Sequence, residues 1–234
     1  MGSFLTTRWS LVLKSRGETS EAKRALNELC RAYWYPLYCY ARSRGLQHAN
    51  AEDAIQGFLL LSLQRSFFDR ATPDEGRLRA FLKSSLKRYL IDEHRRAEAA
   101  KRGGAVDFVP LDMIGAEERY LGDSGGDQSP DHLYDRQWAL LFLGRVLDAL
   151  RERWTTKGKS ELFTALSPFL FSTLSAEDVR PLASRFDLTE ENVKQIRHRM
   201  KAGFQELIRQ QVAETVQSED DIEEEIAALR AALC

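Results

Sequence analysis

The sequence predicts an all-α protein built from two small helical domains. Apolar residues recur at helical spacing along most of the 234 residues, and no segment alternates apolar and polar residues between hairpin turns. The six prolines and fourteen glycines fall mainly between the periodic segments, where they end helices. These breaks predict a first domain at 1–100, an irregular linker at 101–129, a second domain at 130–212 and an acidic amphipathic helix at 213–234.

Three helices account for the first domain. The helix over 21–44 has an apolar face, and Pro36 inside it predicts a kink or a break. Asn50 is placed as the N-cap of the second helix, with Glu52 in the first turn, where the helix dipole favours an acid. The third helix follows a turn-rich loop and carries a clean amphipathic pattern that begins at Leu78.

The second domain is predicted to contain a helix-turn-helix. It opens at Ser129-Pro130, a favourable pair for an N-cap and a first turn, after a linker with two Gly-Gly pairs. The turn of the motif is placed at Asp187-Leu188, and Thr189 is placed as the cap of its second helix. The apolar positions of that helix predict its buried side: Val193, Ile196, Met200, Phe204 and Leu207.

The tail helix is expected to begin at Ser218 and to bury Ile222, Ile226, Leu229 and Leu233. Because a short helix is marginally stable alone, it should dock on another part of the chain. Two roles are open. Either the helix completes the core of the second domain, which is the interpretation we favour, or its acidic surface covers a basic face of the chain and restrains binding at that face.

Charge is distributed unevenly along the chain, although the net charge is only −1. Residues 77–102 hold nine basic side chains against three acidic ones, whereas residues 214–225 hold seven acids and no base. The helix within 77–102 and the second helix of the helix-turn-helix are both basic and lie on separate domains. This arrangement indicates a protein that binds DNA at two places, and the alternative for each helix is an ordinary solvated surface.

The second helix of the helix-turn-helix has the side chains that a major groove requires, since amides read base edges while lysine and arginine hold phosphates. Gln195 is suited to a base, and Lys194 and Arg199 to phosphates, whereas Glu190 and Glu191 would repel nearby phosphates. The predicted DNA contacts of this helix are Asn192, Lys194, Gln195, Arg197, His198, Arg199 and Lys201.

The sequence offers no site for catalysis or for a metal. The four histidines are scattered, and no phosphate-binding glycine loop, nucleophile elbow or HExxH motif is present, so neither an enzyme nor a cofactor is expected. The three cysteines lack the spacing of a zinc site, and their odd number opposes a disulfide framework. No apolar run approaches the roughly 20 residues that span a bilayer, and no signal peptide is recognisable, so a cytoplasmic protein without membrane contact is expected.

Three motifs, in chain order, carry a family resemblance. They are NAEDAIQGF at 50–58, RAFLKSSLKRYLIDEHRR at 79–96 and VKQIRHRMK at 193–201. They resemble regions 2.2, 2.3 to 2.4 and 4.2 of the extracytoplasmic-function sigma factors of bacterial RNA polymerase, within the sigma-70 family. With TTRWSLVL and RAYWYPLYCYARSRG, the resemblance covers about residues 7–215 and is closest to a subgroup common in planctomycete-type bacteria.

The resemblance implies a promoter-specificity subunit with a sigma-2-like first domain and a sigma-4-like second domain. The second domain would read the minus-35 element and pack on the beta flap of core RNA polymerase. An anti-sigma factor or a regulatory kinase would be a further partner of some members. The first domain would dock on the beta-prime clamp helices through Glu52, Asp53, Gln56 and Phe58. Its contacts with minus-ten promoter DNA would be Phe68, Arg77, Arg79, Lys83, Lys87, Arg88, Arg95 and Arg96.

Two positions depart from the family pattern, and two other classes of function remain open. Gly57 stands where an acid is usual, and Glu190-Glu191 replace small residues before the recognition helix. A stand-alone helix-turn-helix regulator would bind operators without polymerase. A helical interaction adaptor would bind neither polymerase nor DNA.

Overall fold

The structure is a computed structural model that describes residues 20–63, 78–99, 115–123, 129–213, 215–216 and 219–234. Within these ranges the chain is helical and forms no strand, so the predicted all-α class is confirmed. A short 3-10 helix, Ser167–Leu170, accompanies the α-helices. The α-helices are α1 (Ser20–Ser43), α2 (His48–Leu63), α3 (Leu78–Ala99), α4 (Ala116–Asp123), α5 (Pro130–Thr156), α6 (Ser160–Leu166), α7 (Ala176–Arg185), α8 (Glu190–Ala213) and α9 (Asp220–Ala231).

The described residues separate into two compact units. The larger unit comprises the described parts of 20–141 together with those of 215–234, and the smaller unit comprises 142–213. The division falls inside α5, whereas the sequence analysis placed the start of the second domain at residue 130. The tail helix α9 belongs to the larger unit. The interpretation that it completes the core of the second domain was therefore wrong.

α1 supplies most of the core of the larger unit, where it packs against α2. The helix continues through Pro36 without a break. α2 begins at His48 rather than after Asn50, and its first turn holds no acid. Because large aromatic rings occupy consecutive positions of α1, this stretch is buried on nearly all sides and contributes much of the apolar area that stabilises the unit. The buried aromatic side chains of α1 are Tyr33, Trp34, Tyr35, Tyr38 and Tyr40.

Close packing of α2 on α3 explains the glycine at position 57. The ring of the neighbouring Phe58 is buried and lies 5.7 Å, centroid to centroid, from the ring of Tyr89. A Cβ atom at Gly57 would overlap the Tyr89 hydroxyl oxygen, whereas the Cζ atom of the ring would remain at an ordinary 3.5 Å. The absence of a side chain at Gly57 thus makes room for Tyr89.

We expect Gly57→Ala to lower the free energy of unfolding by about 1–2 kcal/mol, because the added methyl group displaces Tyr89. In a Tyr89→Phe background the same change should raise it by up to about 1 kcal/mol, since alanine favours a helix interior over glycine and the obstructing oxygen is gone. Urea unfolding of the four proteins measures both effects. The same sign in the two backgrounds would contradict the close approach.

Part of the predicted linker is an ordered helix. α4 follows Gly115, whose positive φ of 83° suits a residue without a side chain. Its Arg119 guanidinium lies 4.0 Å from the ring centroid of Tyr35 in α1, and the Tyr35 hydroxyl donates to Asp123 at 3.0 Å. These contacts attach α4 to the core of the larger unit. The rest of the predicted linker, 101–114 and 124–128, lies outside the described residues.

Glu117 is the main polar anchor of α4. Its carboxylate accepts hydrogen bonds from Arg42 Nη2 at 2.5 Å and from Arg42 Nε at 2.9 Å, which is the bidentate geometry of a strong pair. The hydroxyl of Tyr38 donates to the same carboxylate at 2.5 Å and contacts His48 Nδ1 at 2.8 Å. The hydrogen bond from Arg42 is the main reason that the pKa of Glu117 is lowered, and the bond from Tyr38 adds to it.

This anchor should weaken in acid. A carboxyl group whose pKa is lower in the folded than in the unfolded protein stabilises the folded state. This contribution is fully present when the pH is above the ordinary pKa of 4.5, and it is lost as the pH falls through the pKa of the folded protein. At pH 7 we expect Glu117→Gln to cost about 1–2 kcal/mol, the scale of a partly exposed charged hydrogen bond. Urea unfolding at pH 7 and at about pH 3.5 should show the difference between the two proteins shrink. A difference that is constant with pH would show that Glu117 is not the titrating anchor.

Candidate nucleic-acid interface

The helix-turn-helix of the smaller unit begins with a capping box at α7. The side chain of Ser175 accepts from the N–H of Asp178 at 3.2 Å, and the carboxylate of Asp178 accepts from the N–H of Ser175 at 2.9 Å. This reciprocal pair satisfies two backbone donors at the helix start. The hydrogen bonds from the Ser175 hydroxyl and N–H lower the pKa of Asp178. The first helix of the motif therefore has a well-defined start.

The turn between α7 and α8 forms where the sequence predicted it. Asp187 has a positive φ of 51°, a conformation that aspartate tolerates better than most residues. The N–H of Leu188 donates to the carbonyl of Ala183 at 2.9 Å, which closes the turn. The Thr189 hydroxyl accepts from the N–H of Asn192 at 3.1 Å, so the predicted cap of the second helix is confirmed.

α8 has a buried and an exposed side, as predicted. Val193, Met200, Phe204 and Leu207 are buried, and Ile196 is half-buried. On the exposed side, Lys194 and Gln195 are followed one turn later by His198 and Arg199, so the two pairs project from the same side of the helix. The predicted DNA contacts that are exposed are Asn192, Lys194, Gln195, His198 and Arg199, whereas Lys201 is half-buried.

Arg197 is engaged within the protein. Its Nε atom donates to the carbonyl of Phe169 at 2.9 Å, and its Nη2 atom donates to the carbonyl of Ser172 at 2.5 Å. These carbonyls belong to the 3-10 helix and the segment after it, so the guanidinium fixes α8 against that segment. The structure thus gives Arg197 a positioning role in place of the predicted DNA contact.

The acidic start of α8 is partly compensated. Glu190 lies 3.6 Å from the guanidinium of Arg180 on α7, and both side chains are exposed. A surface pair of this kind contributes little stability, but it places a positive charge beside the carboxylate that would otherwise face phosphates alone. Glu191 is exposed.

Arg79, the predicted minus-ten contact nearest the start of α3, lies in a buried ion cluster of the larger unit. It donates to Glu225 Oε1 from Nε at 2.9 Å and to Glu225 Oε2 from Nη2 at 3.3 Å. Its Nη1 atom donates to Asp135 at 2.6 Å, and its guanidinium lies 4.7 Å from the ring centroid of Trp138. Burial is the largest single influence and lowers the pKa of Arg79, but the hydrogen bonds and negative charge of Glu225, together with the charge of Asp135, outweigh it, so the pKa of Arg79 is raised. Arg79 therefore links α3, α5 and α9.

Lys83, one turn further along α3, belongs to the same cluster. Its Nζ atom lies 3.0 Å from Asp131 Oδ1 and 3.0 Å from Asp135 Oδ2. It also lies 5.4 Å from the ring centroid of Tyr134, a side chain without solvent exposure whose hydroxyl donates to the carbonyl of Arg79 at 3.0 Å. Two of the predicted minus-ten contacts are thus occupied by acids of the protein itself.

The remaining described bases of α3 face solvent. Lys87 is exposed, and Arg88 is exposed and donates to the Ser85 hydroxyl at 3.2 Å. Arg95 and Arg96 are exposed and each lies near an acid three residues earlier, at 4.0 Å and 2.8 Å. Pairs of this kind are weak, so these cations can exchange their partners for a phosphate. The predicted contacts Phe68 and Arg77 lie outside the described residues.

The predicted polymerase contacts on α2 divide into a surface group and one core residue. Asp53 is exposed, and Glu52 and Gln56 are half-buried, so all three are accessible. Phe58 is 0% exposed and packs on Tyr89. The assignment of Phe58 to a polymerase contact was therefore wrong, because a side chain without exposed surface cannot contact a partner.

The acids that occupy Arg79 and Lys83 were missed by the sequence analysis. Asp131 and Asp135 are spaced four residues apart on α5, as Arg79 and Lys83 are on α3, and matched spacing of opposite charges is the signal that could have paired the two helices. Glu225 carried no such signal, because it stands within a run of acids.

The parts of the chain that the structure describes offer neither a metal site nor a membrane-spanning helix. No cluster of histidine, cysteine, aspartate and glutamate there has the arrangement of a metal site. No helix among those residues is long and apolar enough to cross a membrane. No family model matches the chain, and no curated protein or solved structure is significantly similar to it.

Proposed function

We propose that this chain is a sigma factor, a subunit that binds core RNA polymerase and directs transcription initiation at particular promoters. The observation that carries the proposal is the helix-turn-helix of the smaller unit. Its second helix is held by a buried apolar side and exposes Lys194, Gln195 and Arg199 on the other. An amide between two cations on the outer side of such a helix suits the major groove of a minus-35 element.

The larger unit would supply the second contact with promoter DNA and the contact with polymerase. The exposed bases of α3, among them Lys87 and Arg88, would hold the backbone of the minus-ten element. Glu52, Asp53 and Gln56 on α2 would dock on the beta-prime clamp helices, and the smaller unit would also pack on the beta flap. The resemblance of these motifs to sigma factors supports this division of roles in a cytoplasmic, non-catalytic protein.

The proposal is tested with core bacterial RNA polymerase. The purified chain is mixed with core enzyme and passed through a gel-filtration column. The mixture then transcribes a library of random upstream sequences. We expect co-elution and the enrichment of templates that share a minus-35 and a minus-ten element. Failure of the chain to bind core enzyme, or transcription that does not change when it is added, would overturn the proposal.

A pair of variants locates the polymerase contact. Asp53→Ala combined with Gln56→Ala should abolish co-elution with core enzyme, whereas Glu161→Ala, an exposed acid of the smaller unit, should leave it unchanged. Asp53 and Glu161 are exposed and Gln56 is half-buried, so the variants should unfold at nearly the same urea concentration as the wild type. Equal co-elution of both variants would contradict the role of α2.

A stand-alone helix-turn-helix regulator is the second candidate. It is favoured by the ion cluster, in which Arg79 and Lys83 are bound to acids of the larger unit while the helix-turn-helix remains exposed. Such a regulator would protect duplex operator DNA from nuclease without polymerase and would not bind core enzyme. The same gel-filtration experiment therefore separates the two candidates.

A further inference from the structure

The tail helix α9 is attached to α3 through a buried carboxylate. Glu225 is only 1% exposed, and both of its carboxylate oxygens accept hydrogen bonds from the guanidinium of Arg79. Leu229 and Ala232 are buried on the same side of α9, whereas Leu233, which the sequence analysis placed in the buried stripe, is exposed. The buried side of α9 therefore includes an acid that meets a base of α3.

The rest of α9 brings further negative charge to this end of α3. The first turn contains Asp220, Asp221 and Glu223, and Glu223 and Glu224 are exposed. Exposed charges act on one another over roughly 10 Å at 0.1 M salt, about the length of two helical turns. The acids of α9 therefore lower the electrostatic potential around the start of the basic helix.

We propose that α9 is an intramolecular competitor of nucleic acid at α3. The inference rests on the proposed function, since it takes α3 to be a nucleic-acid contact. A carboxylate and a phosphate both accept two parallel hydrogen bonds from a guanidinium, so Glu225 occupies Arg79 as a phosphate of the DNA backbone would. The exposed acids beside it repel the strand that would follow the remaining bases of α3.

A tail helix that only completes the core of the larger unit makes different demands on its side chains. That role requires the buried residues Glu225, Leu229 and Ala232, but it is indifferent to the charge of exposed side chains. Competition with nucleic acid depends on the exposed acids as well. Glu223 and Glu224, which are exposed and lie outside the pair formed by Glu225 and Arg79, therefore separate the two roles.

The test measures the affinity of the full-length chain for a fluorescein-labelled single-stranded DNA oligonucleotide by fluorescence anisotropy. Glu223→Gln combined with Glu224→Gln should raise the affinity about three- to tenfold at low salt, and the gain should shrink as salt is added. The matched control, Glu152→Gln combined with Glu161→Gln, makes the same change in net charge on exposed positions of the smaller unit. It should raise the affinity by less than about twofold.

A second background shows where the competition occurs. When Lys87 and Arg88 on α3 are both replaced by alanine, the gain from neutralising Glu223 and Glu224 should largely disappear, because the strand that these acids repel is no longer held along α3. Equal gains from the tail variant and its control, or a gain that persists in this background, would overturn the inference. The core-polymerase assay of the wild-type chain tests the proposed function separately. If the chain works as a sigma factor but neutralising Glu223 and Glu224 does not change its affinity for DNA, only this inference is contradicted.

Discussion

Replacement of Arg79 by alanine should lower the free energy of unfolding by about 3–5 kcal/mol, the cost of breaking a buried ion pair from one side. The side chain of Arg79 is 11% exposed and that of Glu225 is 2% exposed. The variant would leave the Glu225 carboxylate buried without its bidentate donor, and Asp135 would lose a hydrogen bond of 2.6 Å. The stacking of the guanidinium on Trp138 would be lost as well. Urea unfolding at pH 7, followed by tryptophan fluorescence, measures the change.

Two further variants show whether the cause is the buried pair. Arg95→Ala, which removes an exposed arginine whose Nη1 atom lies 4.0 Å from Asp92, should change stability by less than about 0.5 kcal/mol. Adding Glu225→Leu to Arg79→Ala should recover part of the loss, because one buried carboxylate is removed with its partner. If Arg79→Ala unfolds as the wild type does and binds promoter DNA more weakly, Arg79 is a DNA contact and the cluster does not stabilise the fold.

The helices and the two sides of α8 could be predicted because their signals are local. A repeat of 3.6 residues is read within one helix, and Val193, Met200, Phe204 and Leu207 follow it whatever lies opposite. The cap at Thr189 and the turn at Asp187 are equally local. The division inside α5 could not be predicted, because a helix that continues through a boundary shows no break in its pattern.

Whether a basic side chain of α3 is paired within the protein depends on acids that lie far away in the sequence. Arg79 and Glu225 are separated by 146 positions, so a count of charges in one segment treats Arg79 like the exposed Lys87. The prediction for Phe58 was wrong for a related reason. An apolar residue in a motif can belong to the core or contact a partner, and only its packing on Tyr89 shows that Phe58 belongs to the core. Opposite charges with matched spacing, as on α3 and α5, are the one long-range signal that the sequence offered.

Joint replacement of Lys194 and Arg199 by alanine should lower the affinity of the holoenzyme for minus-35 duplex DNA about 30-fold, or roughly 2 kcal/mol at about 0.15 M salt. Each lost phosphate contact removes about 0.9 from the slope of log affinity against log salt, so the slope should become shallower by about 1.8. Both side chains are exposed on α8. The loss should be uniform across sequences, because phosphates carry no sequence information. Electrophoretic mobility shifts over a salt series measure affinity and slope together.

Two neighbours on the same helix make this prediction specific. Gln195→Ala should change the preference at one base position by about 1–3 kcal/mol and leave the salt slope unchanged, because an amide reads a base edge. Arg197→Ala should lower the free energy of unfolding by about 1.5–3 kcal/mol, since its guanidinium is bonded to the carbonyls of Phe169 and Ser172. It should not alter the salt slope, because this arginine faces the protein. A slope that changes for Arg197 and not for Lys194 and Arg199 would place the DNA on another side of α8.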